Sequence, residues 1–412
     1  MHMRARRLVA PAAVALLGVL ALAIDGLRTM AFTDYEIEAE PALLALRHGD
    51  ALGFLHHLPP YGGSLVLRAP FALLPAAWQG GDLALFRTMA VPCLLAAAAL
   101  AVVLFARARA LGAGQGAAWL ALVVVGFNPL TLRALEIGHP EELLGGALCV
   151  AAALAAGARR PLLAGVLVGL AVANKPWAVV AVLPVLLLLP AGRRQALAAA
   201  AGTAALVLGP MLLLSDAAAS GTVAVAHVGG AIFNPWQVWW FLGEHGPLVM
   251  GTQGEHVGYR TPPVWATQLS HPLAVLVPIA LCLAIARRRR ALSAPEGLAL
   301  LALCLHLRCL FDTWNTSYYA VPALMALAAW EVHRRRPPLV TLAVTLTAWV
   351  TFELLPRAVG PDGQSIGYMA WSVPLAGALA VSLLWPTAWI RITARFTEVA
   401  RRQLPTLAAV KR

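Results

Sequence analysis

Apolar residues run along this chain in long blocks separated by short polar punctuation. Blocks of spanning length fall at roughly 8–25, 83–106, 117–134, 142–157, 161–174, 176–190, 196–215, 271–286, 296–311, 316–332, 338–355 and 366–389. A helix needs about 20 apolar residues to cross a hydrocarbon core of about 30 Å. Inside that core every backbone polar group must be satisfied within the segment, which a helix achieves. The pattern predicts an all-α polytopic membrane protein with about 12 transmembrane helices, organised as a single integral membrane domain over 1–412. Two connections are long, 26–82 and 216–270. In the first, a surface helix is expected around 36–48, a turn region at His56 to Gly63, and a second apolar stretch at 64–78. The first block is read as an uncleaved span, although Ala21-Leu22-Ala23 is a weak match to a signal-peptide cleavage site.

Charge orients this scheme. Arginines occupy every second connection, at Arg4/Arg6/Arg7, Arg107/Arg109, Arg159/Arg160, Arg193/Arg194, Arg287 to Arg290, Arg334 to Arg336 and the tail. That side carries 22 of the 31 Lys and Arg residues, and the opposite side 16 of the 19 acids. By the positive-inside rule both termini are cytoplasmic and the two long connections are extracytoplasmic, in a multi-pass plasma-membrane protein. A hydrophobic content of 60% with only 12% charged residues excludes a soluble domain of this size. The net charge of +12 is then an orientation signal, and no nucleic-acid partner is expected. Five cysteines without a CxxC pair read as small core residues, and no histidine pair has ligand spacing, so neither a metal nor a cofactor is expected.

The polar residues between the blocks are the candidate chemistry. Asp34, Glu36, Glu38 and Glu40 follow the first span. A carboxylate at a water–lipid boundary, partly desolvated, suits proton abstraction from a hydroxyl; a solvated acidic loop is the plainer alternative. Arg133, Glu136, His139, Glu141 and Glu142 crowd the turn between the third and fourth spans. Facing lipid they would be costly, so a hydrated cavity is expected, while Glu141 and Glu142 could instead favour the start of a helix after Pro140. Asn174-Lys175-Pro176-Trp177 breaks the stretch 161–190 into two half-length helices, where the lysine either holds a phosphate or snorkels to the interface. Arg308, Asp312, Trp314, Asn315 and Tyr318/Tyr319 form a further outer turn, with Arg308 and Asp312 placed to pair with each other. Trp236 to Phe241 reads as an interfacial aromatic belt or a platform for sugar faces. These loops all deliver their charges to one membrane face.

At these positions the chain resembles the C-type superfamily of membrane glycosyltransferases, and within it glycosyltransferase family 87, the polyprenol-phosphate-mannose-dependent mannosyltransferases of actinobacteria. The likeness is carried by Asp34 after the first span, Gly49-Asp50, Pro59-Pro60-Tyr61, the turn Gly138-His139-Pro140-Glu141-Glu142-Leu143-Leu144, and Gly169-Leu170-Ala171 leading to Lys175-Pro176. The sequence departs from the family in Thr33-Asp34-Tyr35-Glu36-Ile37-Glu38 and in the doubled glutamate after His139.

The resemblance implies a C-type fold and an extracytoplasmic site at which a polyprenyl-phosphate sugar gives up a hexose, mannose in that family, to an acceptor hydroxyl with inversion. It places the general base on Asp34, with Glu36 as the fallback. The leaving phosphate gains charge, so cations beside it would lower the barrier; the candidates are Lys175, Arg133, His139, Arg308 and Arg68. Glu141, Asn174, Trp236, Asp312 and Trp314 are expected to line the substrate site. The expected partners are the lipid-linked donor, a glycolipid or glycan acceptor, and membrane lipids. Two other classes fit the same blocks of sequence: a transporter or flippase of lipid-linked substrates, and a noncatalytic membrane scaffold. The first would run charges through the bilayer middle, and the second would tolerate replacement of Asp34.

Overall fold

The computed structural model describes residues 2–28, 35–60, 62–79, 83–225, 232–246, 249–250, 256–257, 259–288 and 291–386. Asp34 lies outside the described residues. The chain opens with α1 (His2–Gly26), and the first long connection supplies α2 (Glu40–Arg47), α3 (Ala51–His56), α4 (Gly63–Arg68) and α5 (Ala76–Gln79). Next come α6 (Leu83–Ala110), α7 (Gln115–Gly126), α8 (Leu130–Glu136), α9 (Glu141–Gly157), α10 (Pro161–Asn174), α11 (Val182–Leu188), α12 (Arg193–Leu214) and α13 (Asp216–Val225). The second long connection carries two small antiparallel ladders, β1 (Glu244–His245) with β4 (Arg260–Thr261) and β2 (Val249–Met250) with β3 (His256–Val257). After it follow α14 (Val264–Arg288), α15 (Ala294–Phe311), α16 (Val321–His333), α17 (Leu339–Trp349) and α18 (Pro361–Leu384).

The all-helical membrane architecture is as expected, but the helices are not of equal length. Among the described residues eight are long and apolar enough to cross a membrane: Leu8–Gly26, Leu83–Ala110, Gln115–Glu136, Arg193–Leu214, Val264–Arg288, Ala294–Phe311, Leu339–Arg357 and Pro361–Leu384. The other four expected spans fall on shorter helices, α9 of 17 residues, α10 of 14, the segment Pro176–Leu188, and α16 of 13. Each starts at a proline: Pro140 precedes α9, Pro161 opens α10, Pro176 opens the turn into α11, and Pro322 sits in the first turn of α16. Proline has no N–H to give and fits only a first turn, so it fixes where each of these helices begins.

Burial sorts the helices. The apolar window of α15 is 72% buried, against 28% for α1 and 17% for α12. The outer helices present bare leucine, as at Leu213 on α12, which is 84% exposed. In water that would be unfavourable; against lipid tails it costs nothing. Close approach inside the bundle uses small residues. A side chain on Gly165 or Gly169 of α10 would come within 2.2 Å of the Ala196 carbonyl oxygen or 2.5 Å of that of Ala200 on α12. The five cysteines are buried thiols, as their positions in apolar blocks suggested.

The first long connection is mostly helical and has a core of its own. Tyr35, Leu43, Phe54, Leu58 and Leu65 bury themselves with Phe86 and Met89 of α6. The surface helix expected at 36–48 is seen as a wide turn at Tyr35–Ala39 followed by α2. The second connection is fastened at two places. Its Asn234 side chain donates to the carbonyls of Trp314 (3.2 Å) and Asn315 (3.1 Å), and Trp239 Nε1 donates to that of Phe311 (2.7 Å). Farther on, the Arg260 guanidinium makes a two-pronged bond to Asp362 at the head of α18 (2.7 and 2.8 Å), and the same carboxylate accepts the indole N–H of the fully buried Trp240 (2.7 Å). Asp362→Ala would leave that indole without an acceptor, at a cost of roughly 2 kcal/mol, or roughly 30-fold in local opening. Limited proteolysis should then cut between Gly243 and Thr261 correspondingly faster, with the helices elsewhere cut at the wild-type rate.

Candidate active site

Three separate breaks in the helical pattern bring charges together. At the end of α8 the chain turns through Gly138, whose φ of +95° favours glycine. A side chain there would lie 3.6 Å from the backbone nitrogen of Tyr35, so this turn sits against the acidic segment that follows α1. His139 and Pro140 lead into α9, with Glu141 and Glu142 in its first turn, where the helix dipole favours acids. Dipole compensation at a solvated end is not their whole role, because both are buried, Glu142 completely. The second break ends α10 at Asn174; Lys175 is extended and Pro176 starts the next turn. The third is α4, whose Gly63 lies so close to α10 that a side chain would meet the Ala173 carbonyl oxygen at 2.1 Å. That approach brings the next turn of α4, with Arg68, to the same place.

Glu141 is the hub. One oxygen lies 2.8 Å from His139 Nδ1 and 3.1 Å from Lys175 Nζ, and the other is 3.5 Å from Arg68. Asn174 donates to the Glu141 backbone carbonyl at 2.9 Å. Burial alone would raise the affinity of Glu141 for a proton, but Lys175, His139 and Arg68 outweigh it and hold the carboxyl well below the usual carboxylate range. With His139, Lys175 and Arg68 all within 3.5 Å, Glu141 serves as their counter-ion. Behind it Glu142 faces Arg308 at 3.3 Å and accepts the Trp177 indole N–H at 2.9 Å. Among the described residues, Arg68, Lys175 and Arg308 meet Glu141 and Glu142 in this network.

A small cleft opens on the hub, lined by Glu38, Ser64, Arg68, His139, Glu141 and Lys175 with a few apolar neighbours. Arg68 is 2% exposed; its Nε donates to the Ser64 carbonyl at 3.1 Å, while its Nη1 has no hydrogen-bond partner among the described residues. The Ser64 hydroxyl and the Asn174 amide oxygen are likewise buried without partners. Buried polar groups rarely stay unsatisfied, so the Arg68 Nη1 and the Ser64 hydroxyl, both on residues that line the cleft, are available to a polar ligand there.

Of the residues expected at the site, Lys175, His139, Arg68, Glu141 and Asn174 come together in this cluster, with Arg308 one layer behind. Glu36 is exposed on the Tyr35–Ala39 turn and does not line the cleft, whereas Glu38 does. Arg133 points away, 45% exposed and paired with Glu136 at 3.2 Å. Asp312, Trp314 and Trp236 form a neighbouring group: Asp312 accepts from the Trp314 backbone N–H (2.9 Å) and lies 3.2 Å from His271 Nε2, and Trp236 accepts through its carbonyl from Asn315. Among the described residues the ion pairs of Arg308 and Asp312 are thus with Glu142 and His271, not with each other. Tyr318 packs against His139 with the two rings tilted, centres 4.9 Å apart. Sequence reasoning passed over Ser64, which the i, i+4 spacing to Arg68 could have indicated, and Trp177, which had no signal beyond its place after the break.

Residues 59–313 match the sequence model of glycosyltransferase family 87. The matched stretch contains Arg68, His139, Glu141, Lys175 and Arg308, and begins after the acidic segment. No curated protein matches the chain. With more than half of its residues inside that match, the chain belongs to glycosyltransferase family 87 and is a membrane glycosyltransferase.

Proposed function

We propose that the protein moves a hexose, mannose by family likeness, from a polyprenyl-phosphate donor to an acceptor hydroxyl on a glycolipid or glycan, at the extracytoplasmic face and with inversion at the anomeric carbon. The observation that carries this reading is the buried Arg68, with an unpartnered Nη1, beside Lys175 and His139 on one cleft. As the acceptor oxygen bonds to the anomeric carbon, the bond from that carbon to the phosphate oxygen breaks, and the polyprenyl phosphate leaves with one more negative charge. Cations fixed in a poorly hydrated cleft stabilise that developing charge without reorganising. The acceptor proton passes to a carboxylate. Asp34 is the proposed base, and Glu38 is the carboxylate of the same segment that reaches the cleft. The orientation rests on the alternating arginines, which put the first long connection and the Gly138 turn on the outer side.

The test is transfer of label from a polyprenyl-phosphate hexose to lipid or glycan acceptors in membranes holding the protein. Wild type should transfer from this donor and not from a nucleotide sugar; activity with the nucleotide sugar alone would sink the reading, and none with either donor would favour a transporter. Asp34→Asn at matched expression should slow transfer about 100-fold or more, the usual worth of a general base. Glu36→Gln should stay near wild type. If Asp34→Asn remains active and Glu38→Gln does not, the base is Glu38.

A further inference from the structure

The charges at the cleft stand in two rows. Glu38, Arg68, His139, Glu141 and Lys175 line it, while Glu142 and Arg308 are not among the lining residues. Lys175 belongs to both rows, with Nζ 3.1 Å from Glu141 and 3.8 Å from Glu142. The rear row is tightly held. Glu142 is fully buried, receives Trp177 Nε1–H on one oxygen and faces Arg308 with the other. The Arg308 guanidinium lies between two rings, 4.5 Å from the centre of Trp177 and 4.1 Å from that of Tyr319. A planar cation between aromatic faces is fixed in orientation, which an ammonium would not be.

We propose that Arg308 is a positioning residue rather than a ligand of the donor phosphate: by neutralising Glu142 it keeps the Lys175 ammonium forward, on Glu141 and the cleft. A buried carboxylate that loses its partner takes the nearest mobile cation, and Lys175 is the one at hand. The ammonium would then withdraw from the cleft, and a misplacement of about 1 Å at a reacting centre costs about 100-fold in rate. This deepens the reading of the cleft as the donor-phosphate site and rests on it.

The experiment compares wild type, R308M, E142Q and E142Q/R308M, full length in membranes, by two measurements. The first is transfer kinetics with a polyprenyl-phosphate hexose. The second is acetylation of Lys175 by acetic anhydride, read by peptide mass; the chain has only one other lysine, Lys411, which serves as the internal reference. R308M should lower kcat about 100-fold, with the donor KM changed by no more than about threefold. It should also slow acetylation of Lys175 as the amine sinks onto Glu142. The double variant, which removes both buried charges, should bring kcat back to within about tenfold of wild type and restore the acetylation rate. A double variant as inactive as R308M, or a donor KM raised about 30-fold or more by R308M, would make Arg308 a phosphate ligand and overturn the proposal. So would an R308M protein with unchanged kcat. If R308M does not accumulate, the double variant decides alone by the same tenfold criterion. If wild type transfers nothing from this donor, the functional reading has failed, and the acetylation series still decides whether Arg308 sets the place of Lys175.

Discussion

An Arg68→Met protein should transfer sugar about 10³–10⁴-fold more slowly than wild type, the largest loss expected of any cation in the molecule. Two effects coincide. On the proposed reading the variant removes a charge that serves the leaving phosphate, which in a dehydrated site is worth about 10²–10³-fold. It also strips a buried partner from Glu141, 3.5 Å away, and leaves that cleft carboxylate less compensated, so its negative charge opposes the leaving phosphate. Arg68→Lys should recover little, because an ammonium cannot donate to the Ser64 carbonyl through Nε and present a second planar edge to a phosphate. Transfer kinetics at saturating donor, with the protein confirmed intact by gel filtration in detergent, measure this. Arg133→Met is the informative contrast. Arg133 pairs with Glu136 at the surface, so its removal should leave kcat within about twofold. A loss at Arg133 as large as that at Arg68 would mean that the catalytic cleft lies elsewhere.

Gly63→Val should abolish transfer although the residue is no part of the chemistry. The new side chain would start 2.1 Å from the Ala173 carbonyl oxygen, and a backbone atom in a packed helix cannot swing aside as a side chain can. Either α4 lifts off α10 or both helices distort. Overpacking of this kind costs about 1–3 kcal/mol, seen as a lower melting temperature in detergent. The catalytic loss is larger than the stability loss because Arg68 rides on α4 and Lys175 follows the last turn of α10. An intact, thermally stable Gly63→Val protein with wild-type transfer would show that the cleft does not need α4 where it stands. Gly49, whose φ is +75° with open space around the Cβ position, should lose stability on the same change with no such effect on transfer.

Much of this was legible in the sequence, for particular physical reasons. Proline and a polar pair inside an apolar stretch announce a break, so the Asn174-Lys175-Pro176 interruption was visible before any coordinates. Ionisable residues entered directly from apolar helices must be sheltered, which marked the turn at 136–142. What could not be read is which way a charged residue faces once its helix is packed. On α8 the buried residues are Leu130, Thr131, Ala134 and Leu135, which turns Arg133 to the outside. Glu36 and Glu38 sit two residues apart on a wide turn, and which one reaches inward depends on Tyr35 packing against Phe86, a contact between segments distant in the chain. The pairing of Arg308 was misdirected by proximity: Asp312 is four residues away, yet Glu142, 166 residues away, is its partner. Four of the apolar blocks fell on short helices because length alone does not show where proline forces a start.

The clasp between Arg260 and Asp362 has a consequence for how the protein is made. The two residues are 102 positions apart, and the second belongs to the last helix of the described chain. At about 5–20 residues per second, a ribosome needs roughly 5–20 s to pass from one to the other. Throughout that interval the tryptophan-bearing connection has been made without its fastening to Asp362. A protein halted before α18 would therefore carry the helices that hold Glu141 and Lys175 but not the clasp that closes over Trp240.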